Sequence, residues 1–510
     1  MQFIQVVEYN IDCFFFKSGG PVSHGKTVKR LTVMEAGRAW AAEFPGGKFF
    51  LSICKIRTRL LFFFQFGERF CRNPIRKGKS MQCVSMLLIA GALFCCVAAD
   101  GGERDDLLRR SAELRRTLER RFTSPDGVLY DYAGPAGEVV LPTPEECTEG
   151  RPNALGWWTP IENGGFFTGL YLVGLCEEYA CAPSEELRAA ARRSVRGLVK
   201  LQDTEKAPGF IARGFGVDGK ACYAASSNDQ NFPWFLGLWR YLQTDIPAPE
   251  ERRELVARIV RHAEALRANN WVIPGRRPGF DRGWWLGGGY HSAVHLATVT
   301  FIVADLTGDG EWRKMHDALL REKLSDGRTR IEWIARGYPE IASWSAWFTT
   351  GTQYAVRMLL ERSADPELRM CYAESLLNTA RPAAALIRLY RNFDPSAPRE
   401  FTPDWRRMMP PWRPQTDGNE AQVLAMEQLK VWEKACPAVR IDKATLKPSI
   451  ASAWIVLMSR DEALIGENLP EIHKAFRHFD PDRQFYGAVF FLENLAAELL
   501  RRGEPVASGG

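Results

Sequence analysis

The sequence predicts an all-α protein, a closed (α/α)6 toroid of six helical hairpins whose long loops form a cleft at one end. Three observations predict it. Apolar residues recur at helical spacing through most of the chain beyond residue 100. Helix–turn–helix joints recur at Pro183, Pro247, Gly308 and Pro366, spaced by 64, 61 and 58 residues. At each joint the first helix is apolar and aromatic, and the second is rich in Arg, Glu and Ala. That contrast is expected of a buried inner helix paired with a half-solvated outer one. Six units of roughly 60 residues come to about 360, near the span 105–505 once loops are allowed for. An open solenoid would carry shorter, more uniform loops.

The front of the chain differs from the rest. Residues 1–80 hold 14 Lys/Arg against 5 Asp/Glu, a net of +9, whereas all 510 residues carry +6. The main body is therefore slightly acidic, which gives no electrostatic case for nucleic acid. Residues 1–75, with Phe14-Phe15-Phe16 and Phe62-Phe63-Phe64, show no clean period and are expected to be translated upstream sequence rather than a domain. Residues 76–99 combine basic residues, an apolar run and the small residues Val97-Ala98-Ala99, the parts of a secretory signal. The run is short for a membrane span. Export to the periplasm or outside the cell is expected, with no stable membrane span once the signal is cut. A helical catalytic domain over 100–505 and a disordered tail over 506–510 complete the division. Six of the 12 Cys lie beyond residue 100, without CxxC spacing, so no zinc site is expected. Cys176 and Cys181 are the nearest pair.

Taken in order, residues 105–121 form a charged amphipathic helix that stops before the turn Pro125-Asp126-Gly127. A loop follows over 127–163, with a strand-like piece at 128–132. The first hairpin is Phe166–Tyr179 and Ser184–Leu201. The second opens near Ser226-Ser227-Asn228-Asp229, where short polar side chains satisfy free backbone N–H groups, and continues into 250–268. The third and fourth end in 312–324 and 367–377. Gln428 to Pro437 and a last helix over 487–499 continue the series. The long loops 127–163, 203–227, 270–288, 325–343 and 395–418 each precede an inner helix, so they gather at one end.

Those loops carry aromatic residues beside polar ones: Trp157 and Trp158, Arg213 to Trp234, Trp284 with Trp285, Tyr290 and His291, Trp344 with Trp347. Indoles beside amides, guanidiniums and carboxylates suit a sugar, with its apolar face and rim of hydroxyls. Trp157, Trp158, Asn163, Arg213, Asn228, Gln230, Trp234, Trp284, Tyr290, His291 and Trp344 are the expected substrate contacts, and an oligosaccharide or polysaccharide fragment the expected partner. Arg213, Arg282 and Arg406 are candidate anchors for an acidic sugar. Glu162 and Asp229, each just before or at the start of an inner helix, are the candidate catalytic pair, since glycoside cleavage needs two carboxyls. His291 and His295 share a helix face without the carboxylates of a metal site, and Gly287-Gly288-Gly289 lacks the strand–helix setting of a nucleotide loop. No metal and no cofactor are expected.

Two segments carry a resemblance. Asn228-Asp229-Gln230-Asn231-Phe232-Pro233 and Glu162-Asn163-Gly164-Gly165-Phe166 resemble motifs of the six-hairpin glycosidase superfamily, especially its unsaturated glucuronyl and rhamnogalacturonyl hydrolases. The resemblance implies that Asp229 is the general acid/base. It also marks a departure, because Asn163 stands where those enzymes place a second Asp, and Glu162 where they place His. The function expected is a secreted glycoside hydrolase acting on oligosaccharides, uronic-acid-containing ones among them. Two alternatives stand beside it. One is a polysaccharide lyase using Tyr290 or His291 as base; the other is a glycan-binding protein without catalysis. A sugar isomerase using the paired histidines is a more distant one.

Overall fold

The computed structural model describes residues 104–202, 207–396 and 399–503, and the backbone of six strands between residues 4 and 66. The chain divides into two compact units, Met1–Gly102 and Glu103–Gly510. The expected signal segment 76–99 and the tail 506–510 lie outside the described residues.

In the first unit the strands are β1 (Ile4–Tyr9), β2 (Phe16–Ser18), β3 (Leu31–Val33), β4 (Ala39–Phe44), β5 (Gly47–Ile56) and β6 (Arg59–Phe66). One antiparallel sheet has the order β1-β6-β5-β4, and β2 pairs with β3. The sequence shows no clean period here because β5 and β6 carry runs of aromatic and apolar residues. Such residues favour extended backbone without having to alternate.

The second unit is helical, and among its described residues strand-type pairing occurs only as isolated bridges. Helix α1 spans 104–121. Then come α2 (Pro144–Glu149), α3 (Gly164–Cys181), α4 (Glu185–Gln202), α5 (Asn228–Leu242), α6 (Pro249–Ala268), α7 (Tyr290–Thr307) and α8 (Gly310–Arg321). They are followed by α9 (Arg330–Arg336), α10 (Ala346–Arg362), α11 (Pro366–Ala383), α12 (Gly418–Ala435), α13 (Pro437–Ala444), α14 (Leu446–Met458), α15 (Glu462–His478) and α16 (Phe491–Gly503). No helix among the described residues is long and apolar enough to cross a membrane.

Six helices, α3, α5, α7, α10, α14 and α16, are buried along most of their length. Each touches two others in succession: α3 with α5, α5 with α7, α7 with α10, α10 with α14, α14 with α16, and α16 with α3. The amphipathic helices cover them, α4 on α3, α8 on α7, α11 on α10 and α15 on α14. Helix α1 closes the set. Its Arg115 Nη1 donates to Glu178 Oε2 on α3 at 2.8 Å and to Glu493 Oε1 on α16 at 3.1 Å.

The first turns of the six buried helices meet. Gly165 N–H at the start of α3 donates to Gln230 Oε1 on α5 at 3.0 Å. His291 Nε2 on α7 lies 3.2 Å from Thr349 Oγ1 on α10. Phe166 packs edge-on against Trp347 of α10 at 4.8 Å and near Phe491 of α16 at 6.3 Å. Lys447 of α14 sits 4.0 Å above the Trp347 ring.

One boundary differs from expectation. The stretch from Gln428 to Pro437 is not the fifth inner–outer joint. That joint is at Ser459-Arg460-Asp461, between α14 and α15, where Asp461 caps α15 by accepting from Leu464 N–H. Helices α12 and α13 are inserted ahead of it, and their apolar stripe imitates an inner helix. The loops 127–163 and 325–343 each contain a short helix, α2 and α9, started by the capping boxes Thr143–Glu146 and Thr329–Glu332.

Candidate functional site

At the start of α5, Ser227 takes the cap position by its extended backbone and its side chain leaves the helix uncapped. Asp229 stands in that first turn, half-buried, and no hydrogen bond or ion pair among the described residues engages its carboxylate. Its neighbours are committed elsewhere. Gln230 accepts the first N–H groups of α3, and Asn231 binds Ser226 and His262, the latter at 2.8 Å. Asn228 Oδ1 is buried without a partner and packs so close to Gly283 that a Cβ there would fall 2.1 Å from it. Asp229 is thus the acid of this turn, its carboxylate unspent, at the positive end of a helix.

The loop before α3 supplies the second carboxyl. Glu162 Oε2 accepts from Trp158 N–H at 2.9 Å and from Tyr132 Oη at 3.1 Å, and lies 3.9 Å from Lys443 Nζ. Trp158 holds a left-handed φ of 72°, rare for a large side chain. It is held there because its N–H binds Glu162 and its indole N–H donates to Ala425 O at 2.8 Å.

Asn163 does not cap α3 with its side chain. Its N–H and its Nδ2 each donate at 2.6 Å to the two oxygens of Asp131. Full burial, with the charge of Glu162 beside it, pushes the Asp131 carboxyl well above the usual carboxylate range, against the pull of the Asn163 bonds.

Around these carboxyls stands a ring of aromatics and cations. The Lys443 ammonium lies 4.6 Å from the rings of Trp158 and Trp432 and 5.3 Å from those of Tyr132 and Tyr486. Such contacts favour a cation that has left part of its water. Lys447 is buried, with Tyr486 Oη 3.3 Å from its Nζ. Glu162, Asp131 and Asp229 all act on Lys447 and on Arg213, so the two candidate carboxyls share the same electrostatic neighbourhood.

The guanidinium of Arg213 is fully buried and occupied. It donates to Glu162 O at 2.8 Å, Ser227 Oγ at 2.9 Å, Ala225 O and Ser226 O, tying the loop before α3 to the loop before α5. Arg406 is likewise committed, to Glu146. Of the three candidate anchors, Arg282 alone faces Asp229 with donors to spare. It bonds Gln422 at 3.0 Å, lies 5.6 Å over Trp157, and interacts electrostatically with Asp229.

The remaining expected contacts divide by exposure. Trp157 is half-buried beside Trp158, and Trp284 and Trp344 stand out at 52% and 66% exposure. The indole of Trp284 is fixed by a bond to Asn270 O at 3.2 Å. Trp234 is buried in the core, donating to Leu198 O at 2.9 Å. It points away from the loops because it falls on the α4-facing side of α5. Tyr290 is buried against Gln353 and Ser375, and burial pushes its phenol up to about 12, which makes it a poor base. His291 is half-buried among Tyr290, Tyr338 and Phe348, and desolvation lowers it to about 4, so it is neutral at pH 7. His295 stacks on Phe232 at 3.9 Å. Cys176 and Cys181 are not joined to each other.

Sequence reasoning missed Asp131, Tyr132, Trp432, Lys443, Lys447 and Tyr486. For Lys447 a signal existed: it is the one charged residue in the apolar run of α14, LKPSIASAWIVLM. Asp131 and Tyr132 had none, lying in a stretch that reads as an ordinary strand.

No family model matches this chain, and no curated protein or solved structure does either.

Proposed function

We propose that this chain is an exported glycoside hydrolase and that its six buried helices and their covers form a closed (α/α)6 toroid. The successive contacts around the six helices, with α1 bridging α3 and α16, support the ring. The resemblance of the 162–166 and 228–233 segments to six-hairpin glycosidases agrees with it.

The observation that carries the chemistry is the pair of carboxyls. Asp229 is unpartnered at an open helix start, and Glu162 is gripped by a peptide N–H, a phenol and an ammonium. Cleavage of a glycosidic bond asks one carboxyl to deliver a proton to the leaving oxygen and a second to activate water or stabilise positive charge at the sugar carbon. Asp229, free to turn toward a ligand, is assigned the first role. Glu162, fixed in place, is assigned the second. Trp157, Trp284 and Trp344 offer faces for sugar rings, and Arg282 offers donors to a uronate carboxylate.

The test is cleavage of a panel that includes unsaturated glucuronyl disaccharides and rhamnogalacturonan oligosaccharides, followed as new reducing ends. Asp229→Asn is expected to lower turnover by about 10²–10⁴-fold with unchanged circular dichroism and melting temperature. A fully active variant overturns the assignment. Tight binding of a saccharide with no product from the wild-type chain would replace hydrolysis with glycan binding.

A further inference from the structure

Lys447 is a buried titratable group that glycosidic cleavage leaves unused. It stands in the first turn of α14, where the first turns of the buried helices meet, with its Nζ over the Trp347 face at 4.0 Å. Its hydrogen-bond neighbour is Tyr486 Oη at 3.3 Å, and among the described residues no carboxylate lies within ion-pair distance. The groups that act on it come from several elements: Trp347 on α10, Lys443 on α13, Tyr486 before α16, Glu162 and Asp131 before α3, and Asp229 on α5.

We propose that Lys447 is an amine nucleophile among the meeting first turns of the buried helices, able to condense with the carbonyl carbon of a small aldehyde or an open-chain reducing sugar. A lysine becomes nucleophilic when it is stripped of water and set beside another cation, since both favour the neutral amine. Lys447 has both features. Burial, then the charge of Lys443, brings its ammonium down to about 7, against the opposing pull of Glu162, Asp131 and Asp229. Lys443 in turn is kept close by four rings.

The chemistry balances within the site. The Nζ lone pair forms a bond to the carbonyl carbon, and the C=O π pair moves to oxygen, which takes a proton from a neighbouring carboxyl. The amine returns its extra proton to that carboxylate. The carboxyl then protonates the departing hydroxyl, which leaves as water as the nitrogen lone pair forms the C=N bond. The iminium N–H proton goes back to the carboxylate to leave the imine. This goes beyond hydrolysis, and neither reaction depends on the other.

The test uses the full chain, glycolaldehyde as the aldehyde and cyanoborohydride as the reductant, which turns the imine into a stable secondary amine. Peptide mass spectrometry then compares lysines at pH 7. Lys447 is expected to be labelled roughly tenfold or more faster than Lys314, whose side chain is 76% exposed and paired with Glu311. Lys443→Met is expected to slow labelling of Lys447 several-fold at pH 7, because without that charge Lys447 keeps its proton more firmly. Lys447→Met should lose the label altogether; if that variant does not fold, the wild-type and Lys443→Met rates still decide. Labelling of Lys447 no faster than Lys314, or unaffected by Lys443→Met, overturns the proposal. Neither result bears on Asp229.

Discussion

Asn163 and Asp131 show how much of the chemistry depends on partners far apart in the chain. An Asn at the start of a helix ordinarily caps it, yet here the amide is spent on a buried carboxyl 32 residues earlier. Nothing in the local sequence marks Asp131, because a lone acid in LYDYAG could serve as a turn residue or a strand end. The same holds for Glu177, half-buried on α3 between Arg240 at 3.0 Å and Arg357 at 2.9 Å, with Tyr354 donating at 2.7 Å. Burial opposes its ionisation, but the two guanidiniums prevail and bring it down to about 2. Its folded pKa lies below the unfolded one, so its stabilisation is full above about 4.5 and is lost as pH falls through about 2. Equilibrium unfolding of Glu177→Gln against wild type should therefore show a large difference at pH 7 that shrinks steadily between pH 4.5 and 2. Equal stability at pH 7 would show that the cluster contributes nothing.

The helices themselves were the most legible part, since periodicity and turn residues are local. Hairpins at 183, 247, 308 and 366 needed only Pro, Gly and the apolar stripe, and α3 to α8, α10 and α11 follow them. Helices α12 and α13 were misjudged because an amphipathic stripe reports that a helix packs, not what it packs against. What spacing could not show is how closely two helices approach. A Cβ on Gly169 of α3 would lie 2.4 Å from the Pro233 carbonyl oxygen on α5, and one on Gly237 would lie 2.7 Å from the Gly169 carbonyl oxygen. The two backbones thus pass with no room for side chains. Gly169→Ala is expected to cost about 3 kcal/mol, the upper part of the overpacking range, because backbone rather than a movable side chain is in the way. Gly466→Ala on α15, where nothing lies within 4 Å, should be neutral or stabilising by about 0.5–1 kcal/mol. Denaturant midpoints of the two variants would check the contrast, and equal midpoints would contradict the close approach.

In the helical unit as a whole, the loops 127–163, 203–227, 270–288 and 325–343 precede buried helices whose first turns meet, while 395–418 leads into the inserted α12, and Asp229 and Glu162 act on the same two cations, Lys447 and Arg213. Charge ties the first described helix to this set. Arg115 on α1 reaches Glu178 on α3 and Glu493 on α16, so the first helix bridges the third and the last. Sequence periodicity could anticipate the number of buried helices, but not that the chain's first helix would cover its last. The cations and rings around Glu162 were hidden for the same reason, since Trp432 arrives on α12, Lys443 on α13, Lys447 on α14 and Tyr486 in the segment before α16. The most direct measurement is a crystal structure of Asp229→Asn soaked with an oligosaccharide that the wild-type chain cleaves. The account predicts a glycosidic oxygen within hydrogen-bond reach of the side chain at 229, with the adjoining sugar carbon facing Glu162. A saccharide bound away from both residues, or one whose linkage faces neither, would contradict it.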